Sequence, residues 1–183
     1  GFRGDEFSKT KPDKTYRIFM LGGSPMFGYG ATSDEATIPG FTQKKIDEKD
    51  FGFDIEVINS GVQAVDSDRE LELVKHRLIT FSPDLIIIYD GWNDLRSNIP
   101  SNILKENWKA ICEIGNENKF DTIISLQPIA GFGGKTLTKQ ESEYVKTGKS
   151  YSKKPLIESL PAYQNYAKSL SEIRTCTKTI DLR

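Results

Sequence analysis

The sequence is poor in the residues that most metal and redox sites use. It contains one histidine, His76, and two cysteines, Cys112 and Cys176. A metal site built from several histidines is therefore excluded, and the two cysteines are too far apart for a C-x-x-C pair. We expect the cysteines to form a buried free pair, with a single disulfide as the alternative. We also expect that the protein uses neither a metal nor an organic cofactor.

Long apolar runs and an excess of charge are also missing. No apolar run approaches the ~20 residues that span a bilayer. Lys and Arg number 25 and Asp and Glu number 26, which gives a formal net charge of -1. This balance argues against nucleic acid or an anionic membrane as the main partner. A content of 37% apolar and 28% charged residues is typical of a globular domain.

Short apolar runs that end in turn residues alternate with amphipathic segments along the chain. This alternation predicts an α/β fold in which a parallel five-stranded sheet carries helices on both faces. Residues 1–15 are predicted to form an N-terminal arm and residues 16–183 one domain. Residues 129–154 have no clear period, and we expect them to form a long loop that shapes the substrate pocket. Strands are predicted at 16–21, 53–59, 85–89, 121–126 and 179–182, and helices at 37–49, 66–81, 101–115 and 155–173.

The first strand ends abruptly at Gly22-Gly23-Ser24-Pro25. The two glycines allow a sharp turn, and Pro25 removes a donor from any continuing strand. Ser24 therefore lies at the carboxyl end of a buried strand, which is where open α/β sheets bind their ligands.

Three other interpretations of Ser24 compete with a catalytic one. The simplest is a turn serine that caps the next helix. Gly23 and Gly28 have the spacing of a P-loop, but Tyr29 and Gly30 stand where Lys and Ser/Thr are required. A dinucleotide fingerprint needs G-x-G-x-x-G, which the sequence around Ser24 does not provide.

Polar residues also follow the second and third strands, at Asn59-Ser60-Gly61 and at Asn93-Asp94. The carboxyl ends of parallel strands lie at one edge of a sheet, so these residues can converge with Ser24. The Ser24 hydroxyl would be a nucleophile. The Gly61 N–H and the Asn93 amide would be donors to an oxyanion.

In order and in position, these segments resemble the first three sequence blocks of the SGNH (GDSL-like) hydrolases. The resemblance implies the flavodoxin-like, three-layer fold of that family. It also implies that Ser24 is the nucleophile and that Gly61 and Asn93 complete the oxyanion hole together with the N–H of Ser24. The matching residues are Gly22-Gly23-Ser24 with Gly28, Asn59-x-Gly61 and Gly91-x-Asn93-Asp94.

The sequence departs from the family pattern in two ways. Gly23 stands where many members have Asp, and the D-x-x-H block that supplies the catalytic histidine is not found before Arg183. We expect that block to follow Arg183 in the natural protein. His76 points away from the apolar stripe of its helix and is predicted to be a solvated surface residue. Asp94 could be taken for a triad acid, but a turn or capping role is the preferred interpretation, and Asp90 is also interpreted as structural.

Together these features predict an esterase that cleaves a small-molecule or glycan ester through an acyl-enzyme on Ser24. The alternatives are an O-acyltransferase or deacetylase that acts on glycans, and a catalytically inactive binding domain with the same fold. The segment Gly1-Phe2-Arg3-Gly4 resembles the linker that follows an N-terminal anchor in exported relatives. An extracytosolic location, with a removed anchor, is therefore expected. The sequence leaves the oligomeric state open.

Overall fold

The computed structural model describes residues 2–148 and 155–183 of the chain. At its centre is a five-stranded sheet in the order β2-β1-β3-β4-β5, in which every neighbouring pair is parallel. The predicted α/β class, with a parallel five-stranded sheet and helices on both faces, is confirmed. The strands are β1 (Thr15–Gly22), β2 (Asp54–Asn59), β3 (Leu85–Asp90), β4 (Asp121–Leu126) and β5 (Lys178–Asp181).

The helices follow the strands in the order expected for right-handed crossovers. Among the described residues, no helix is both long enough and apolar enough to cross a membrane. Two short 3-10 turns, Leu78–Phe81 and Leu156–Ser159, precede β3 and α7. The α-helices are α1 (Ser24–Phe27), α2 (Ile38–Asp47), α3 (Ser67–His76), α4 (Trp92–Ser97), α5 (Ser101–Asn118), α6 (Lys139–Thr147) and α7 (Leu160–Glu172).

One face of the sheet carries most of the core. Side chains alternate along each strand, so every second residue of β1, β3 and β4 points toward this face. Helices α3, α5 and α7 cover it, and Trp108 of α5 is fully buried there. The other face carries a smaller core, which is a cluster around Met20 and Met26. Leu85 and Ile87 on this face are only half-buried. The buried strand residues of the larger core are Phe19, Leu21, Ile58, Ile86, Ile88, Ile124 and Leu126.

The N-terminal arm packs against the domain more closely than its polar sequence indicates. The ring of Phe2 lies 5.3 Å from that of Phe81 and 5.7 Å from that of Phe19, centroid to centroid. The rings of Phe7 and Phe81 lie 5.5 Å apart, centroid to centroid. The guanidinium carbon of the fully buried Arg17 lies 5.2 Å from the centre of the Phe7 ring. Aromatic pairs at such distances add to the free energy gained by burial. Phe2 and Phe7 of the arm therefore pack against the core.

Three helices are missing from the sequence-based assignment, and one of them is the single turn α1. Helix α6 lies within the segment 129–154, which was predicted to be a loop. Its start has a capping box, in which Thr138 Oγ1 accepts from Glu141 N and the Glu141 carboxylate accepts from Thr138 N. The T-x-x-E spacing is the sequence signal for that motif. Helix α4 was also missed, because it is only six residues long. Residues 149–154 of the predicted loop lie outside the described residues.

Cys112 and Cys176 form a disulfide, so the expectation of a free pair is wrong. The bond joins α5 to the segment that leads into the edge strand β5. A hydrogen bond from Asn116 Nδ2 to the Thr175 carbonyl, 2.9 Å long, lies beside it. The sequence left open whether this bond forms, because the two cysteines meet only after α5, β4 and α7 have folded.

We predict that Cys176→Ala lowers the free energy of unfolding by about 2–4 kcal/mol, because the unfolded chain gains the entropy of an open loop. Urea-induced unfolding of the oxidised proteins measures the difference. Reduced wild-type protein is the control and should match the variant, whereas reductant should leave the variant itself unchanged. Equal stability of oxidised wild type and variant would contradict the prediction.

Candidate active site

The ends of β1 and β2 come together at the carboxyl edge of the sheet. After β2, the chain continues to pair with the end of β1. Ser60 N donates to the Met20 carbonyl over 3.0 Å, and Val62 N donates to the Gly22 carbonyl over 2.9 Å. The loop that follows β2 therefore lies directly beside the turn that carries Ser24, as the strand order requires.

Ser24 is the first residue of α1, which has a single turn. Pro25 fits this position because the first turn of a helix needs no donor from its nitrogen. The Ser24 carbonyl accepts from Gly28 N at 3.0 Å and from Tyr29 N at 2.9 Å, which closes the turn. The side chain of Ser24 is half-buried, so its hydroxyl lies at the boundary between the sheet and solvent.

Asn93 reaches the same place from the end of β3. It is buried in α4, and its Nδ2 donates to the Val65 carbonyl over 2.7 Å. A Cβ on Gly23 would collide with this Nδ2 atom. The Asn93 amide therefore lies against the residue that precedes Ser24. The absence of a side chain at Gly23 leaves room for that amide.

Gly61 is held tightly, but its N–H already has a partner. It donates to Asn59 Oδ1 over 3.0 Å. A Cβ on Gly61 would lie 2.7 Å from the Met26 carbonyl carbon and from Phe27 Cα, so α1 requires a glycine there. The structure thus gives Gly61 a role in packing the loop against α1, and its N–H points to Asn59.

The turn at residues 62–65 was not singled out by the sequence. Val65 N donates to the Val62 carbonyl over 3.3 Å, and Ala64 within this turn has a left-handed φ of 58°. That conformation is uncommon for a residue other than glycine. Ala64 is exposed, and the next residue supplies the carbonyl that holds Asn93. No local pattern marks Ala64 in the sequence, since alanine is not a typical turn residue.

The two aspartates around α4 are structural, in agreement with the sequence interpretation. Asp94 is fully buried and accepts from Ser67 N at 3.2 Å and from Ser67 Oγ at 2.5 Å. Asp90 accepts from Gly91 N at 2.6 Å and from the Trp108 indole at 2.9 Å. These bonds fasten the end of β3 to the start of α3 and to α5.

A third acid, Glu70, is fully buried next to them, and the sequence analysis missed it. Burial, followed by the nearby charges of Asp90 and Asp94, holds the pKa of Glu70 well above its ordinary value. Burial, with the charge of Asp90 as the next cause, raises the pKa of Asp94 to about 9. The clue in the sequence is that Glu70 lies one helical turn before the core residue Val74.

His76 is remote from this edge, as the sequence predicts. Its side chain is 63% exposed, and its Nε2 lies 3.2 Å from a carboxylate oxygen of Glu72. It is the last residue of α3, whose first residue, Ser67, is at the site. The length of that helix, about 15 Å, separates the imidazole from the site.

A cleft with a volume of about 280 Å³ opens beside Pro25, the residue that follows Ser24. Helix α6 contributes to one wall through Tyr144, so part of the segment that was expected to shape a pocket does line one. Within the described part of the chain, no group of three or more acidic, histidine or cysteine side chains is arranged to hold a metal ion. The cleft is lined by Pro25, Tyr89, Trp92, Gln127, Pro128, Ile129, Ala130 and Tyr144.

Comparisons with known proteins identify the fold. No family model and no curated protein matches the sequence. The acetyl xylan esterase AlAXEase matches the structure with a TM-score of 0.63 and 13% identity, over 91% of this chain and 77% of that one. A G-D-S-L family protein described as lipolytic, from Desulfitobacterium hafniense DCB-2, gives 0.62 and 16%, over 90% and 76%. The psychrotrophic esterase EstA from Pseudoalteromonas sp. gives 0.60 and 17%, over 93% and 78%.

These likenesses, all at low identity, concern the fold. The chain has the α/β fold of the GDSL/SGNH hydrolases, as the sequence blocks indicated. The matched structures are named as esterases or as lipolytic proteins, and the carboxyl edge described above belongs to this fold.

The buried acids predict a specific pH dependence of stability. Because its pKa is raised, Asp94 in the folded protein keeps its proton up to about pH 9. Aspartate in the unfolded chain loses its proton at about pH 4. The unfolding free energy should therefore fall as the pH rises through this window. We predict a shallower fall in Asp94→Asn, because asparagine keeps the neutral shape and the acceptor oxygen but does not titrate.

Urea unfolding at several pH values between these limits measures the slope. Asp50→Asn is a matched control, since Asp50 is exposed and distant from the site. It should keep the wild-type slope. If Asp94→Asn also keeps that slope, Asp94 is not the group responsible.

Proposed function

We propose that the protein is a serine ester hydrolase and that Ser24 is its nucleophile. The observation that carries this proposal is the convergence of Ser24, the Asn93 amide and the loop after β2 at the carboxyl edge. A serine hydroxyl beside several hydrogen-bond donors is the arrangement that acyl transfer requires. The names of the matched esterases, AlAXEase among them, support ester hydrolysis as the reaction class.

In the proposed mechanism, Ser24 Oγ attacks the ester carbonyl carbon, and the carbonyl oxygen becomes an oxyanion. The N–H of Ser24 and the Asn93 amide donate hydrogen bonds to this oxyanion. The general base takes the Ser24 proton and passes it to the alcohol, which leaves as its bond to the acyl carbon breaks. Water, deprotonated by the same base, then attacks the acyl carbon, and the acid leaves as the base returns the proton to Ser24 Oγ. Each donor acts more strongly on the oxyanion than on the neutral carbonyl, and this difference lowers the barrier.

The loop after β2 supplies a further donor in this proposal. Gly61, which the family resemblance implies, can act only if Asn59 Oδ1 releases its N–H. Ala64 is the alternative within the same loop. Two observations support it: its backbone is left-handed, and the adjacent Val65 carbonyl binds Asn93. We therefore assign the donor to this loop and favour the Ala64 N–H within it.

The hydroxyl of Ser24 also needs a general base. The only histidine in this sequence, His76, is on the exposed end of α3 and is not suited to the role. The proposed base is a histidine that follows Arg183 in the natural protein. Leu182 N donates to the Leu126 carbonyl over 3.1 Å, so residues beyond β5 would enter the carboxyl edge directly.

The proposed substrate is a small-molecule or glycan ester, with the acyl or alcohol group in the cleft that Pro25 lines. The aromatic rings of Trp92 and Tyr144 in its wall suit either an acyl chain or a sugar ring. Acyl transfer to a glycan hydroxyl uses the same residues and is the alternative reaction. Product analysis in the presence of an alcohol acceptor distinguishes transfer from hydrolysis.

An extracytosolic location is part of the proposal. The Cys112–Cys176 disulfide supports it, because disulfides persist mainly in oxidising compartments.

We predict that a fluorophosphonate labels Ser24 in the natural full-length protein, since the reagent needs an activated hydroxyl. Peptide mapping by mass spectrometry identifies the labelled residue. Ser24→Ala should lose both the label and the hydrolysis of p-nitrophenyl acetate. Ser60→Ala is a matched control, because the Ser60 hydroxyl donates to the Met20 carbonyl over 2.9 Å, and this variant should still be labelled. A label on another serine would refute the assignment of the nucleophile.

We also predict that Asn93→Ala lowers kcat for p-nitrophenyl acetate by on the order of 10²–10³, the usual effect of removing one oxyanion donor. Asn116→Ala removes a comparable bond from a side-chain amide to a carbonyl, but far from the edge, and should keep the wild-type kcat. Circular dichroism verifies that both variants fold. A folded Asn93→Ala protein with unchanged kcat would mean that Asn93 only supports the turn.

A further inference from the structure

Arg3, in the N-terminal arm, makes an unusual number of contacts around α1. Its Nη1 donates to the carbonyl of Phe27 at 3.0 Å and to that of Gly28 at 2.7 Å. Its Nε forms an ion pair with Asp34 Oδ1 at 2.7 Å. The guanidinium carbon lies 5.1 Å from the centre of the Phe27 ring, and only 18% of the side chain is exposed.

The carbonyls that Arg3 binds are those at the end of α1. Helix α1 has one turn, and so short a helix is not stable by itself. The carbonyls of the last turn of a helix lack partners within the helix and favour a nearby cation. Arg3 supplies both the hydrogen bonds and the positive charge at Phe27 and Gly28. Ser24 is at the opposite end of the same turn.

The backbone of Arg3 is itself fixed. Its N–H donates to the Asn59 carbonyl over 3.1 Å at the end of β2. The preceding residue, Phe2, packs among the rings of Phe7, Phe19 and Phe81. The guanidinium is therefore held between a fixed backbone and α1. The position of α1 thus depends on the position of the sheet.

We propose that Arg3 is a positioning residue for the nucleophile: through the carbonyls of Phe27 and Gly28, it holds α1 in the orientation that directs Ser24 toward its oxyanion donors. This inference rests on the proposed function, in which Ser24 is the nucleophile. It assigns the N-terminal arm a part in the site, although the sequence indicated only a linker.

The test compares Arg3→Ala with Lys11→Ala. Lys11 is the matched control, because it also belongs to the arm and forms a partly buried ion pair, with Asp84 at 2.6 Å, but makes no contact with α1. The first measurement is amide hydrogen exchange at Gly28 and Tyr29, whose N–H groups bind the Ser24 carbonyl. Exchange at these two amides should accelerate in Arg3→Ala relative to the amides of β3, and should not in Lys11→Ala.

The second measurement is the hydrolysis of p-nitrophenyl acetate by the natural full-length protein. Arg3→Ala should lower kcat by on the order of 10- to 100-fold, the range that a misplaced catalytic group produces, with little change in KM. Millimolar guanidinium chloride should restore part of this loss, and sodium chloride should not. Lys11→Ala should keep the wild-type kcat even if its stability falls.

The outcomes separate this inference from the proposed function. If wild-type hydrolysis does not depend on Ser24, the proposed function fails, and hydrogen exchange alone then decides whether Arg3 holds α1. If hydrolysis depends on Ser24 but Arg3→Ala keeps both kcat and the exchange of Gly28 and Tyr29, the role of Arg3 is refuted. A loss of kcat that guanidinium does not restore, with unchanged exchange, also refutes it.

Discussion

The hydrogen bonds made by α4 are the interactions on which the candidate site depends. Asp94 binds the backbone and hydroxyl of Ser67, and Asn93 binds the Val65 carbonyl. The Val65 carbonyl belongs to the connection between β2 and α3, and Ser67 is the first residue of α3. These bonds add to those that Ser60 N and Val62 N form with the end of β1 in fixing that connection beside the turn of Ser24. Side chains of α4, the helix that follows β3, therefore bind the loop after β2 and the start of α3.

This arrangement buries carboxyl groups at a considerable electrostatic cost. Glu70, Asp90 and Asp94 lie together beneath the site with almost no exposure. Desolvation disfavours their charged forms, and two charged neighbours would repel each other. Hydrogen bonds from Trp108 and Gly91 N compensate Asp90 in part. Such clusters are retained where they specify one arrangement of the chain, and here they fix how α3, α4 and α5 meet under the edge.

The sequence was sufficient for the five strands and for the edge at which Ser24 and Asn93 meet, because apolar runs and strand-end glycines are local signals. The partners of those residues were not predictable. The N–H of Gly61 is directed to Asn59, and the disulfide depends on contacts between elements distant in sequence. The contacts of Arg3 were equally unpredictable, since an arginine in a polar segment has no local pattern that indicates which carbonyls it will bind.

The attachment of the arm has a mechanical consequence. Tension on the chain ahead of Phe2 would reach Arg3 after one residue, and Arg3 is bonded to the end of α1. The load would be shared between the packed ring of Phe2 and the guanidinium, so part of it would act on α1. Tension beyond Arg183 would instead act on β5, which the Cys112–Cys176 bond couples to α5. The two ends of the domain therefore differ in how directly a pulling force would disturb the serine.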